Sequence, residues 1–403
     1  MTAKAAARVL ACSALLLAAV AGDVIFFGLV WRDTYPVDGW FPGLPIDFKN
    51  TWFGAWSYWR GDLTVLFDQY AYNMARWRFF PLELGHIWSY PLHFLMLTLP
   101  LGLLSFPAAA VVWTLGNIVL YVWFVARRFR PSPGAWFFLL ISSGFLSTVV
   151  FGQLAMLTSI LLIGGLAILP RRPVLAGVFF GFLTIKPHFG ALIPLFLLLE
   201  RRWSTIAAAV VTTVILLGLS VLVFGPDAWL AFLRDGMPAQ TEAMLEKRGL
   251  WSWEPTLYAA MRQLLFPRDV ALSVQFVAAA AAGLAMVWLK WIGVSYEKCA
   301  ELVPLLTLAS LPYVLPADLL MIAPFIAIRL TDPQIPLASF VLLLVVQTFA
   351  AVFFIVSRLT DWPLYAAAFS AVVLLLVAEA WRGPARNTAA APARRASAQS
   401  VQA

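Results

Sequence analysis

Charge is what this sequence has least of. Only 12% of its 403 residues are Asp, Glu, Lys or Arg, against roughly 25% in ordinary globular chains, and a water-soluble fold is excluded on that ground. Cysteine is nearly absent as well: Cys12 and Cys299 fall in or beside apolar runs, too few and too scattered for a disulfide framework. The three histidines, His86, His93 and His188, show no C-x-x-C or H-x-x-x-H spacing, which argues against a zinc site. No Asp-x-Asp occurs anywhere in the chain, and neither a metal nor another cofactor is expected.

Apolar residues fill the space that charge leaves. They make up 62% of the chain, with 18 Trp and 31 Phe and a mean hydropathy of +0.86. That composition describes one polytopic, all-α membrane domain whose helices each need about 20 apolar residues to cross hydrocarbon. The net charge of +8 and pI near 9.7 would point to nucleic acid on a soluble chain. Here they fit basic cytoplasmic loops and membrane lipid contacts instead. Residues 4 to 22 have the form of a signal peptide, with Lys4 and Arg8 ahead of an apolar run. The run continues to Trp31, however, long enough for a full span, so an uncleaved first helix is expected.

Basic residues flank the apolar runs at Lys4/Arg8, Arg127/Arg128/Arg130, Arg171/Arg172, Arg201/Arg202, Lys290/Lys298, Arg329 and Arg382/Arg386. If all are cytoplasmic, an even number of crossings separates each neighbouring set. Counting 134–151, 154–169, 174–185, 189–199, 205–224, 270–292, 302–315, 319–330, 337–356 and 363–381 with the first helix and 107–126 gives about twelve crossings. Residues 87–106, interrupted by Pro91 and Pro100 and holding His93, read as a re-entrant or interfacial element. The expected domain is 1–382, with a disordered cytoplasmic tail at 383–403. Polar chemistry then gathers outside, in a first outer loop at 32–105 and a second outer element at 225–269.

Candidate residues lie on that outer side. Phe48, Trp52, Trp56 and Trp59 are spaced by 4, 4 and 3, one helical face, which reads as a helix lying on the membrane with that face in the headgroups. Asp47 before it is a helix cap or a catalyst, and the two are compatible. Asp62 reads as a further cap, and Asp68 precedes a second surface helix. Seven Trp lie between Trp31 and Trp88, for which interfacial anchoring is the commoner cause and sugar stacking the rarer. Arg60, Arg76 and Arg78 suit a phosphate or lipid headgroups. Lys186-Pro187-His188 interrupts two short apolar segments, and an intramembrane cation faces a cavity or a partner. Phosphate binding and a bond to carbonyls freed at Pro187 both fit it. Gln153 after Gly152, and Asp318 after Pro316, are caps, packing groups or outward-facing site residues. Asp23 lies within the first helix, in an internal hydrogen bond or a functional role. Glu242, Glu246, Lys247, Arg248, Trp251, Trp253 and Glu254 belong to the second outer element, an amphipathic surface segment or a lid or acceptor platform over the site.

An acidic residue in a long first outer loop, then Tyr90-Pro91, Gly152-Gln153, Lys186-Pro187, and late Pro312-Tyr313 with Asp318-Leu319-Leu320, resemble in order and spacing glycosyltransferase family 87. These are polyprenyl-phosphate-mannose-dependent mannosyltransferases of the GT-C class, and the likeness runs from about residue 45 to about residue 330. The resemblance implies a GT-C fold in the inner (plasma) membrane, an extracytoplasmic active site, a polyprenyl-phosphate sugar donor and a glycan or glycolipid acceptor. It also implies inversion at the anomeric carbon. It carries the catalytic acid to Asp47 and donor-phosphate contacts to Lys186 and His188; Gln153, Tyr90, Asp318 and Arg76 are further candidate substrate contacts. Where the family follows its acid with Tyr-Trp this chain reads Asn50-Thr51-Trp52, and Ala317 stands where it has Tyr before the late Asp, so acceptor contacts do not carry over. A transporter or lipid flippase is the main alternative, and a non-catalytic subunit of an envelope assembly a third. Mannose rests on the resemblance alone, and the sequence sets no oligomeric state.

Overall fold

A backbone in hydrocarbon has to satisfy its own hydrogen bonds, which leaves helices or closed barrels. The computed structural model is helical. It describes residues 12–26, 47–80, 88, 90–246 and 248–382, and among these there is no strand. The 383–403 tail, Lys4, Arg8, Trp31, His86 and Lys247 lie outside the described residues.

Among the described residues four helices are long and apolar enough to cross a membrane, Phe106–Phe129, Trp203–Phe224, Arg268–Trp291 and Leu364–Arg382, and each corresponds to a run read from the sequence. They expose large apolar side chains, such as Val112, Val119 and Trp123 on the first and Val210, Val214 and Leu222 on the second. That surface suits lipid. The runs at 134–151 and 337–356 are bent pairs: Pro133–Leu140 meets Ser143–Phe151 at 50°, and Leu337–Thr348 meets Ala350–Thr360 at 85°. No proline marks either break. At the first, Ser142 Oγ accepts from the Phe145 N–H (3.1 Å) and donates to the Leu139 carbonyl (2.7 Å), ending one helix and capping the next. At the second, the Ala350 N–H donates to Ser143 Oγ (3.1 Å), so the two breaks support each other.

With each bent pair taken as one span, up to six crossings have the length and composition required. The twelve expected from the sequence need the shorter apolar helices as well, among them Ala155–Ile168, Pro173–Ile185 and Pro187–Leu199. At 1.5 Å per residue these reach about 21 Å at most, short of a core about 30 Å thick. The expected break falls where the sequence put it: Lys186, at φ −138° and ψ 75°, leaves the helical region, as the residue before a proline does.

The first outer loop differs from the surface helix expected. Phe48–Trp59 is a core helix, with Phe48, Trp52, Phe53 and Ala55 buried. Phe48 stacks on Trp113 with ring centroids 5.3 Å apart, and Trp52 packs edge-on against Phe106. The indole N–H groups of Trp52 and Trp59 donate to the Leu104 and Leu99 carbonyls (3.0 and 2.8 Å). The face opposite the aromatic stripe, with Asn50, Gly54 and Ser57, is buried as well, so both faces of the helix meet protein. The next helix, Gln69–Trp77, is a surface one, capped by Asp68 accepting from the Ala71 N–H (2.8 Å) and exposing Tyr70, Met74 and Trp77. Asp62 is exposed and caps no helix; it accepts from the Thr64 hydroxyl at 3.5 Å.

Candidate active site

Asp47 immediately precedes the buried helix Phe48–Trp59, yet its carboxylate makes no capping bond there. It is held from another element. Its N–H donates to the Phe151 carbonyl (2.9 Å), and its Oδ2 accepts from Gln153 Nε2. Both partners come from the end of Ser143–Phe151, where Gly152 turns the chain with a φ of +68°, a left-handed conformation open to glycine at no steric cost. Trp113 Nε1 pins the turn by donating to the Gly152 carbonyl (2.9 Å).

Lys186 and Asp318 form the second polar pair. The ammonium donates to Asp318 Oδ1 at 2.7 Å and lies 4.4 Å from the centre of the Phe189 ring. Asp318 Oδ2 accepts from the Leu315 N–H (2.9 Å), which fixes the carboxylate on the tight turn Pro316–Met321. The partner of Lys186 is thus a carboxylate rather than carbonyls freed at Pro187. A buried pair of this kind holds because each charge has the other. His188 Nδ1 shares a hydrogen bond with the Tyr313 hydroxyl (3.2 Å), while its Nε2 is buried with no hydrogen-bond partner among the described residues.

A cavity of about 690 Å³ joins these groups, with Asp47, Gln153, Tyr90, Lys186, His188 and Asp318 all in its wall. Tyr90 is partly buried in the wall, and burial followed by the nearby charges of Asp47 and Asp318 pushes its phenol up, so it stays a hydrogen-bond donor. Arg76 is the exception. Its helix turns it inward with Tyr72, where the guanidinium lies 5.7 Å from the Tyr72 ring centre and 5.4 Å from that of Phe80, and it takes no part in the wall. Arg60 and Arg78 are exposed. Asp23 borders a separate small void with Ser143, Ser147 and Trp253.

Several wall residues escaped the sequence reading. Asn50 Oδ1 accepts from the Tyr72 hydroxyl. His93 bonds Thr184 Oγ1 through Nε2 (3.3 Å) and stacks on Trp229. The signal for both was a polar side chain inside an apolar run, which also marks an ordinary buried bond. The second outer element, through Pro226–Ala231, Met237–Glu246 and the turn before Leu257–Gln263, supplies Trp229, Gln240, Met244 and Trp253 to the same wall. No sequence period announces that. A second, apolar groove of about 460 Å³ lies alongside between Pro173–Ile185, Pro187–Leu199 and Trp203–Phe224, and shares Thr184, Pro187 and Thr213 with the polar cavity. Among the described residues no group of three His, Cys, Asp or Glu is placed to hold a metal.

The model of glycosyltransferase family 87 matches residues 88–316. Neither the search of curated proteins nor that of solved structures gives a match.

Proposed function

The chain belongs to glycosyltransferase family 87, and from that premise we propose that it moves a hexose, mannose by the resemblance of its motifs, from a polyprenyl-phosphate donor to a lipid-linked or envelope glycan acceptor. Transfer takes place on the extracytoplasmic side with inversion. That it is a membrane glycosyltransferase follows from the family and the apolar helices. The lipid donor is supported by one observation above the rest: the cavity holding Asp47, Lys186 and Asp318 borders an apolar groove and shares Thr184, Pro187 and Thr213 with it. A phosphate lodged at Lys186 could keep its sugar in the polar chamber and its chain in the groove.

One base suffices for this chemistry. Glycosidases need a second carboxyl to protonate a poor leaving group, whereas a polyprenyl phosphate departs as a stable anion with the electron pair of the broken anomeric C–O bond. Asp47 takes the acceptor hydroxyl proton as the new C–O bond forms, a contribution of about 10² to 10⁴ in rate. Gln153 orients that carboxylate without neutralising it. Lys186, with the unpartnered His188 Nε2 nearby, stabilises charge developing on the phosphate.

The test is transfer in proteoliposomes supplied with labelled polyprenyl-phosphate hexoses and candidate lipid acceptors. Asp47→Asn is expected to abolish transfer and leave donor binding intact; turnover near that of the unaltered protein removes Asp47 from the mechanism. Movement of the donor across the bilayer without sugar transfer would favour a carrier instead.

A further inference from the structure

The mechanism above leaves one buried carboxyl unused. Glu254 is 2% exposed, and neither of its oxygens has a hydrogen-bond partner among the described residues. Its neighbours in sequence fix it in place. Trp253 lines the cavity and packs against Phe151 with ring centroids 5.2 Å apart. Thr256 bonds the Pro312 carbonyl (3.1 Å) and caps Leu257–Gln263. Glu254 is therefore buried next to the wall residue Trp253, between it and the Thr256 cap.

The ionisable groups that face it are Asp318 and Tyr313, and no cation does so directly. Behind Asp318 stands Lys186, and behind Tyr313 stands His188. Burial pushes the Glu254 carboxyl well above the usual carboxylate range, and the Asp318 charge pushes it further. A buried carboxyl without a partner persists because it is neutral.

The charges around the cavity give this neutrality a use. Lys186 is the cation of the described wall, and it is already paired with Asp318. A donor phosphate has to share that cation with a carboxylate. A second carboxylate beside Asp318 would set the Lys186 end against an anion, whereas a neutral acid there adds no opposing charge.

We infer that Glu254 is a proton-holding positioning residue: as a neutral acid it leaves Lys186 free to take the donor's phosphate, and as a carboxylate it excludes that anion. The inference rests on the lipid-phosphate donor proposed above. Donor binding then requires the proton, so affinity falls by about tenfold per pH unit once the pH passes the Glu254 range in the free protein. Buried glutamates titrate as high as about 8–9, which sets the window to scan.

The probe is farnesyl-phosphoryl-mannose, a phosphodiester that keeps a single negative charge over that window. Its dissociation constant is measured by calorimetry on the full chain in nanodiscs, from about pH 5 to about pH 9. The unaltered protein is expected to lose affinity toward high pH and to take up a proton on binding, seen as a heat that varies with buffer ionisation enthalpy. Glu254→Gln is expected to bind the probe at high pH as it does at low pH, and to lose that proton uptake. If this variant does not accumulate, Glu254→Met, of similar length and also neutral, replaces it. Parallel pH profiles in the two proteins overturn the inference while leaving the donor reading in place. No binding at any pH by the unaltered protein overturns the donor reading itself.

Discussion

Both carboxylates of the cavity are held in place, Asp47 with the help of Gln153 and Asp318 by Lys186. Asp47 accepts from the neutral amide of Gln153, which orients the group while leaving its charge to act on a proton. Asp318 is neutralised by the ammonium of Lys186 at 2.7 Å. Removing one member of a buried pair strands the other charge and costs about 3–5 kcal/mol, whereas replacing both by apolar groups is often neutral. Asp318→Ala is accordingly expected to lower the melting temperature sharply. The double variant Lys186→Met with Asp318→Leu should recover most of that stability yet transfer no sugar. Thermal denaturation in detergent and the transfer assay read the two effects separately; a stable and active double variant would take the pair out of the mechanism. The sequence exposed Lys186 and Asp318 one at a time, through a cation between apolar segments and an acid after a proline. Nothing in it tied them together across 132 positions, because a pair that distant is made by packing.

At the scale of elements, the site depends on how closely Ser143–Phe151 approaches the turn Pro316–Met321. A methyl group at Gly144 would lie 2.7 Å from the Leu320 backbone nitrogen and 3.1 Å from its Cα, so a side chain there forces two backbones apart. One of those elements carries the Phe151–Gln153 hold on Asp47, and the other carries Asp318. Gly144→Ala is thus expected to lower both stability and turnover, by about 1–3 kcal/mol in stability as overpacking typically does. Gly218→Ala, where nothing lies within 4 Å, serves as the control and should leave transfer unchanged. Equal effects of the two substitutions would show that the close approach does not matter. The apolar runs and the break at Lys186 were legible in the sequence because length and proline chemistry dictate them. The bends at Ser142 and Phe349 were not, since they arise from one serine hydroxyl and a contact between distant elements. The burial of Phe48–Trp59 was misread for a related reason: an aromatic stripe shows which side chains share a face, but not whether that face meets lipid or protein.

Across the whole molecule, the outward opening proposed for the cavity is supported by a parity that does not require twelve full crossings. Arg171/Arg172 and Arg201/Arg202 bracket Pro173–Ile185 and Pro187–Leu199. Whether these helices are two crossings or one re-entrant hairpin, the chain returns to the side from which it left. Thirteen residues from Pro173 to Ile185 rise about 20 Å, about two thirds of a core about 30 Å thick. The turn at Lys186 therefore sits in the half of the membrane away from the arginines. Arginine-rich turns tend to stay cytoplasmic, so Lys186, and with it the cavity, is expected toward the outer surface, as proposed. With Cys12 and Cys299 replaced by Ala, single cysteines at Asp62→Cys and Arg171→Cys, both exposed positions, report the two sides. A membrane-impermeant maleimide is expected to label the first in intact cells and the second only after permeabilisation. The reverse pattern would turn the cavity to the cytoplasm, beside soluble nucleotide sugars, and a donor carried on an outward-facing lipid would no longer reach Asp47.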